Sequence, residues 1–544
     1  MANFKIVVFI LAVMIILIAI TNRRKLPYPI LLLAAGLIIG FAPGLPELAL
    51  DPDVVFFIIL PPLLYDAAYK TSWHEFKTSI RPISALAISL VFFTTLTVAV
   101  TAHYIIPGFT WPLAFVLGAV ISPPDAVAAS GIIKGMGLHK KVVTILEGES
   151  LVNDASALIA YRYAVAAVST GAFVFWEAGL GFLMVAIVGI IIGVATGYIF
   201  VAAHKRIENN SVVETSLTLL APFISYHAAE YFHMSGVLAV VSTGLVMSWR
   251  SPEVFSYQTR MRTRLVWDTL IFLMQGFVFI LIGLQLPAIV RGMGSFPLEE
   301  ILGYGILISL VTIVVRIIWV FAGANIQRIF EKNSGHTLSV AENEASKNTW
   351  KNVLLVAWTG TRGVISLAAA LALPLVTANG EPFPKRDSII FLAFVVIFVT
   401  LVVQGLTLPL LIRWLRIEPA DDGAHEQREL QLYMATSTLN FVEQDMPVDN
   451  GDVKVTLKKK YDSIIRQLTV EHRRHQKMAR SKEVPVPSEP NDMLKAQLEI
   501  SKFQRNLLLR LHKEGDFANG VIKDAERELD INDLKLNLQV PKEV

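Results

Sequence analysis

Runs of apolar residues long enough to cross a membrane recur through the first 415 positions, with short polar stretches between them. A spanning helix needs about 20 mainly apolar residues. By that measure the chain offers about thirteen spans, near 4–21, 28–46, 52–69, 83–106, 111–134, 142–168, 175–203, 212–232, 235–249, 265–290, 299–323, 352–378 and 387–415. Pro43 and Pro46 interrupt the second, and Pro61 and Pro62 the third. Basic residues cluster in alternate connections: Arg23, Arg24 and Lys25; Lys70, Lys77 and Arg81; Lys134, Lys140 and Lys141; Lys205 and Arg206; Arg250, Arg260, Arg262 and Arg264; Arg328, Lys332, Lys347 and Lys351. The loops between them carry almost none, apart from Lys385 and Arg386. Lys/Arg-rich loops stay on the cytoplasmic side. An odd number of spans then puts the N-terminus outside and the C-terminal tail inside. Met1 to Asn22 has one lysine and no small-residue cleavage site, so it is expected to remain as the first span.

From about Glu418 the pattern changes. Charged residues dominate, with Leu430, Leu432, Leu439 and Phe441 at helical spacing, then Val455, Leu457, Tyr461, Ile464 and Leu468. Leu494, Leu498, Phe503, Leu507, Leu508 and Leu511 form a further apolar series, beyond a linker marked by Pro485, Pro487, Ser488 and Pro490. The expected organisation is a transmembrane domain over 1–417 and a helical cytoplasmic tail over 418–544.

Composition narrows the class. Only 17% of the 544 residues are charged and 54% are hydrophobic, with a mean hydropathy of +0.55; soluble domains carry about 25% charge. A net charge of +3 gives no electrostatic support for nucleic-acid binding. The absence of cysteine excludes disulfides and thiolate metal sites. There is no Gly-rich phosphate loop and no zinc-type histidine pair, so no cofactor is expected.

Against this apolar background, one polar stretch stands out. Glu147-Gly148-Glu149-Ser150-Leu151-Val152-Asn153-Asp154-Ala155-Ser156 sits inside a span. An ionised group at the bilayer centre costs about 2.5 to 3.5 kcal/mol on insertion scales, so such a cluster points to an ion that binds or moves there. Ser150 and Asp154 are four residues apart and share a helix face. Ser150, Asn153 and Asp154 can offer hydroxyl, amide and carboxylate oxygens to one ion, with Asp154 the shared site for cation and proton. Glu149 needs a positive partner of its own. Arg316, inside the apolar run Leu310–Phe321, is the favoured one, with Arg162 and Arg362 as competitors. The expected role of the Glu149–Arg316 pair is structural.

Two spans look broken, at comparable places in the two halves. Ser122-Pro123-Pro124-Asp125 cannot continue a helix cleanly, because each proline lacks a donor and clashes one turn back. Thr359-Gly360-Thr361-Arg362-Gly363 has low helix propensity. Paired interrupted spans are a sign of inverted-repeat transporters, in which freed carbonyls and half-helix ends face the ion. Asp125, directly after the prolines, adds a hard oxygen ligand suited to an alkali cation. Asp66 is an accessory acid in the expected cation funnel. His103, His227 and His233 lie near span ends and are expected to be interfacial or satisfied locally, with pH sensing as the alternative.

Residues 147–154 resemble the signature of the monovalent cation–proton antiporters, sodium/proton exchanger branch. Pro124–Ala129 is similar to that family's broken fifth span and Thr361–Ala368 to its broken twelfth. Pro61–Asp66 is similar to its third span, and Thr400–Leu410 to its last. The resemblance covers most of residues 50–415. It implies an all-α membrane protein of about 13 transmembrane helices, with inverted repeats and two broken crossing helices. It also implies a homodimer in a bacterial inner (plasma) membrane, each subunit having a dimerisation domain and a moving core. Asp154 would take sodium or a proton in turn, with Asn153, Ser150 and Asp125 around the ion and Glu149 paired to Arg316. The Asn153-Asp154 pair with Arg316 resembles the electroneutral type, which exchanges one Na+, or alternatively Li+ or K+, for one H+.

Three other classes are weaker. A channel needs a continuous pore, for which one deep carboxylate between broken helices is poor material. An intramembrane hydrolase lacks a His or Lys placed to activate Ser150, so no enzyme is expected. A receptor or scaffold has only the charged tail in its favour.

Overall fold

The computed structural model describes residues 8–17, 19, 28–41, 53–125, 140–170, 175–207, 210–292, 297–333, 349–377, 380–415, 422–444, 455, 457–469, 529, 531 and 536. The motif residues Ala126 to Ala129, the proline linker near Pro487 and the apolar series from Leu494 to Leu511 lie outside these. The described residues are almost wholly helical; the one β-type pairing among them is an isolated bridge between Val376 and Pro382.

The chain divides into two compact units. One comprises Met1–Lys134 with Leu138–Pro419, and the other Gly135–Gly137 with Ala420–Val544. In the second unit the helix Asp422–Gln444 carries Glu443, which Lys458 reaches at 2.6 Å.

Among the described residues of the first unit, five helices are long and apolar enough to cross a membrane: Ile80–Ile105, Gly179–Lys205, Gln258–Arg291, Leu298–Asn325 and Arg386–Leu415. Shorter apolar helices run over Val8–Leu17, Tyr28–Gly40 and Trp111–Ile121. The helices Lys140–Thr170, Ser211–Tyr231 and Gly236–Val254 complete the bundle around them. These positions follow the apolar runs of the sequence closely, because each run supplies its own backbone hydrogen bonds as a helix.

The burial pattern is that of a chain dissolved in lipid. On Leu298–Asn333 the residues Leu302, Ile306, Leu310, Val314 and Ile318 recur every four positions and are all exposed. The opposite face carries Ser309, Thr312 and Arg316, all buried. Apolar side chains cover both faces of such a helix, so the buried polar stripe is what marks its inward side.

Close contact between helices relies on small residues. A Cβ at Gly36 would run into the backbone at Ile280 and Gly283, so the helices Tyr28–Gly40 and Tyr257–Gly292 meet backbone to backbone, as packing in lipid favours. Pro222, Pro252, Pro287 and Pro409 sit inside helices, which neighbouring helices tolerate in lipid. The stretch before Pro61 is a π-helical turn, Val54–Ile59. Such bulges tend to accompany functional sites, and two of its residues line the cavity described next.

Candidate functional site

The site forms where the two interrupted spans meet the central helix Lys140–Thr170. The first interrupted span is helical over Trp111–Ile121 and then non-helical over 122–125. The second is helical over Thr349–Trp358, non-helical over 359–363, and helical again over Val364–Leu371. The breaks are tied to each other. The Asp125 backbone N–H donates to the Thr361 carbonyl at 2.6 Å, and the Thr361 hydroxyl donates to the Asp125 carbonyl at 2.9 Å.

A helix end leaves carbonyls without partners. Here each first half-helix ends on a buried arginine. Arg362 donates through Nε to Ile121 O at 2.8 Å, and through its guanidinium to Gly360 O. Arg316 donates to Val356 O at 3.1 and 3.3 Å. A cation at a helix C-terminus is also favoured by the helix dipole. Arg362 therefore acts as a cap on freed carbonyls, and its own backbone N–H is held by the Thr400 hydroxyl at 3.1 Å.

Glu149 takes Arg316 as its partner in a two-pronged pair, Nη1 to Oε1 at 2.5 Å and Nη2 to Oε2 at 2.9 Å. Both side chains are 2% exposed. The competing arginines are committed elsewhere, Arg162 to Glu230 at 2.9 Å and Arg362 to the carbonyls above.

Asp125, Ser150 and Asp154 line one cavity of about 60 Å³, ample for one or two water-sized occupants. Its wall also includes Pro123, Pro124, Gln275, Gly363 and Ser366. Asn153 is fully buried and donates its amide to Pro124 O at 2.7 Å, which pins the first break to the central helix. Its Oδ1 has no hydrogen-bond partner.

Asp66 is not among the residues that line this cavity. Lys70, four positions on, reaches it at 2.8 Å and also reaches Asp268 at 2.7 Å. One helical turn brings Lys70 onto the face of Asp66, and that proximity cannot be weighed against a funnel role from hydropathy alone. His103 is satisfied locally, its Nδ1 lying 2.8 Å from Phe109 O.

In the sequence Gly363 reads only as a helix breaker, and Ser366 is given no role of its own. A Cβ at Gly363 would land on the Asp125 carboxylate. The φ at Gly363 is −138°, outside the left-handed region, so space rather than conformation demands glycine there. Its position before Val364 also sets Asp125 against the start of a half-helix, where a negative charge is favoured. The signal available in the sequence was the glycine directly before an apolar run, in the span that answers the one carrying Asp125.

Comparison with known proteins gives a consistent result. Residues 8–414 match the family described as sodium/hydrogen exchanger, transmembrane. A Na+/H+ exchanger from Mycobacterium tuberculosis is 31% identical over 98% of this chain and 96% of its own. A sodium, potassium, lithium and rubidium/H+ antiporter from Bacillus pumilus is 29% identical over 84% of this chain and 69% of its own. Among solved structures, the sodium proton antiporter MjNhaP1 from Methanocaldococcus jannaschii superposes with a TM-score of 0.60 at 18% identity. That match covers 77% of this chain and 100% of the other, and likens the two folds.

Proposed function

This chain belongs to the sodium/hydrogen exchanger family, an integral membrane family of cation/proton antiporters, and from that premise we propose that it exchanges Na+ for H+ by alternating access at Asp154, one ion for one proton. The observation that carries the reading is the pair of carboxylates, Asp125 and Asp154, on one small cavity where two broken helices cross. Hard oxygen donors of this kind suit an alkali cation. Either occupant, proton or cation, neutralises Asp154. Carrying an unneutralised charge through a low-dielectric barrier is costly, so the core moves readily only when loaded. No ATP, cofactor or bond-making step enters, and the protein acts as a transporter rather than an enzyme.

The setting follows the same reading: a homodimer in the bacterial inner membrane, N-terminus outside and tail cytoplasmic. The helices facing the cavity rock against the rest, as in inverted-repeat transporters. Lithium and potassium are alternative cargoes, and the Bacillus pumilus relative's name includes both.

The test is proton flux in proteoliposomes driven by Na+, Li+ or K+, with voltage clamped at several values. Each uncompensated charge would feel about 2.3 kcal/mol per 100 mV. The expected result is sodium-coupled flux whose rate is indifferent to voltage. Flux that is uncoupled from cation refutes exchange, and voltage-driven flux refutes one-for-one stoichiometry. The same assay checks the space requirement at Gly363. Gly363→Ala displaces the Asp125 carboxylate, and a misplacement near 1 Å at a working site can lower turnover roughly a hundredfold. Retention of wild-type flux would show that Asp125 needs no fixed position.

A further inference from the structure

Hydroxyls on spanning helices in this protein have a standard way of being satisfied: they donate to the carbonyl one turn back. Thr95 does so to Val91, Thr101 to Thr97, Thr196 to Ile192, Ser309 to Gly305 and Thr400 to Val396, at 2.7 to 2.9 Å. Ser366 is an exception. It is 1% exposed, and its Oγ has no hydrogen-bond partner. The cause is the break in its span. One turn back from Ser366 lies Arg362, in the non-helical stretch 359–363, so the carbonyl that would accept its proton is not aligned beneath it. A buried hydroxyl without a partner is destabilising, and each such group in a native structure calls for an explanation.

Its surroundings supply one. Ser366 lines the same cavity as Asp125, Ser150 and Asp154. It is three residues beyond Gly363, hence on the same helix face, and Gly363 abuts the Asp125 carboxylate. Resting on the exchange reading above, we infer that Ser366 Oγ is a ligand of the transported cation, contributed by the second broken span opposite the Ser150 and Asp154 ligands of the central helix. A hydroxyl oxygen coordinates an alkali ion through its lone pairs but does not take up a proton at cellular pH. Ser366 therefore favours the cation-loaded state and leaves the proton-loaded one unaided. It tunes cation affinity and the choice among Na+, Li+ and K+, while Asp154 remains the seat of competition between cation and proton.

The test uses the full-length protein in proteoliposomes, with Ser366→Ala and Ser366→Thr beside the wild type. Half-saturation for Na+, Li+ and K+ is measured in cation-driven proton flux at several pH values. Sodium-dependent thermal stabilisation of the purified proteins reads binding apart from transport. In Ser366→Ala the half-saturation for sodium is expected to rise roughly tenfold, the effect of one charge-assisted contact. Maximum rate and the pH at which protons compete should stay in place, and sodium should stabilise the protein less. Ser366→Thr, which keeps the hydroxyl, should stay near wild type. Because Ser366→Ala deletes an unsatisfied group, its melting temperature without sodium should not fall. Should it nevertheless fail to fold, Ser366→Cys replaces the oxygen with a soft sulfur and must show the same loss of sodium affinity. Wild-type flux with unchanged sodium half-saturation in Ser366→Ala overturns this assignment alone. A wild type without cation-coupled flux overturns the exchange reading and this ligand with it.

Discussion

Asp154→Asn reduces sodium-driven proton flux to that of empty vesicles, while the protein remains folded. The substitution keeps the shape of the side chain and removes both of its functions, since an amide neither binds a proton at cellular pH nor offsets the charge of a cation. Asp154 is 3% exposed and lies on the cavity wall. Neutralising a buried carboxylate removes a desolvation penalty, so thermal stability should hold or rise. Loss of flux is then separable from loss of fold. Flux in reconstituted vesicles and a melting curve on the same preparation check both halves. Substantial exchange by Asp154→Asn would remove that residue from the carrier role.

Glu149→Gln is expected to act in the opposite way, on the fold. The pair joins two helices through residues 167 positions apart in sequence and two short contacts, and Arg316 is 1% exposed. Taking away the acid leaves a guanidinium buried without its counter-charge. Breaking a buried pair from one side costs about 3 to 5 kcal/mol, enough to undo a marginally stable domain. Arg316→Lys keeps the charge and loses the two-pronged geometry, so it should be milder. The measurement is recovery of monodisperse protein and its melting temperature for both variants. A Glu149→Gln protein that folds and melts like the wild type but binds sodium weakly would make Glu149 a cation ligand. Arg316 also holds Val356 O, so its loss would release the end of a half-helix as well.

The two outcomes separate roles that the sequence sets side by side. Glu149, Ser150, Asn153 and Asp154 fall within six consecutive positions, yet the helix turns them toward different neighbours. Glu149 meets the helix Leu298–Asn333, Asn153 meets the first break at Pro124, and Ser150 and Asp154 meet the cavity. A pitch of 3.6 residues per turn divides the cluster into faces, and the sequence predicts that division. It does not say which neighbour each face meets.

The chain's own letters determined where the helices run, which two are interrupted, and which few polar groups must stay away from lipid. All three follow from local rules: an apolar run must satisfy its backbone internally, proline and glycine stop helices, and a charge at depth is too costly to leave unmatched. The sequence favoured Arg316 as the partner of Glu149, and tertiary structure decided it over Arg162 and Arg362. It likewise settled Asp66 against Lys70, set Gly363 against Asp125, and stripped Ser366 of its carbonyl. Those outcomes depend on how each helix is rotated and which distant segment crosses it. Apolar side chains cover both faces of such helices, so only a polar stripe such as Ser309, Thr312 and Arg316 records that rotation in the chain, and it does not name the segment that the stripe meets.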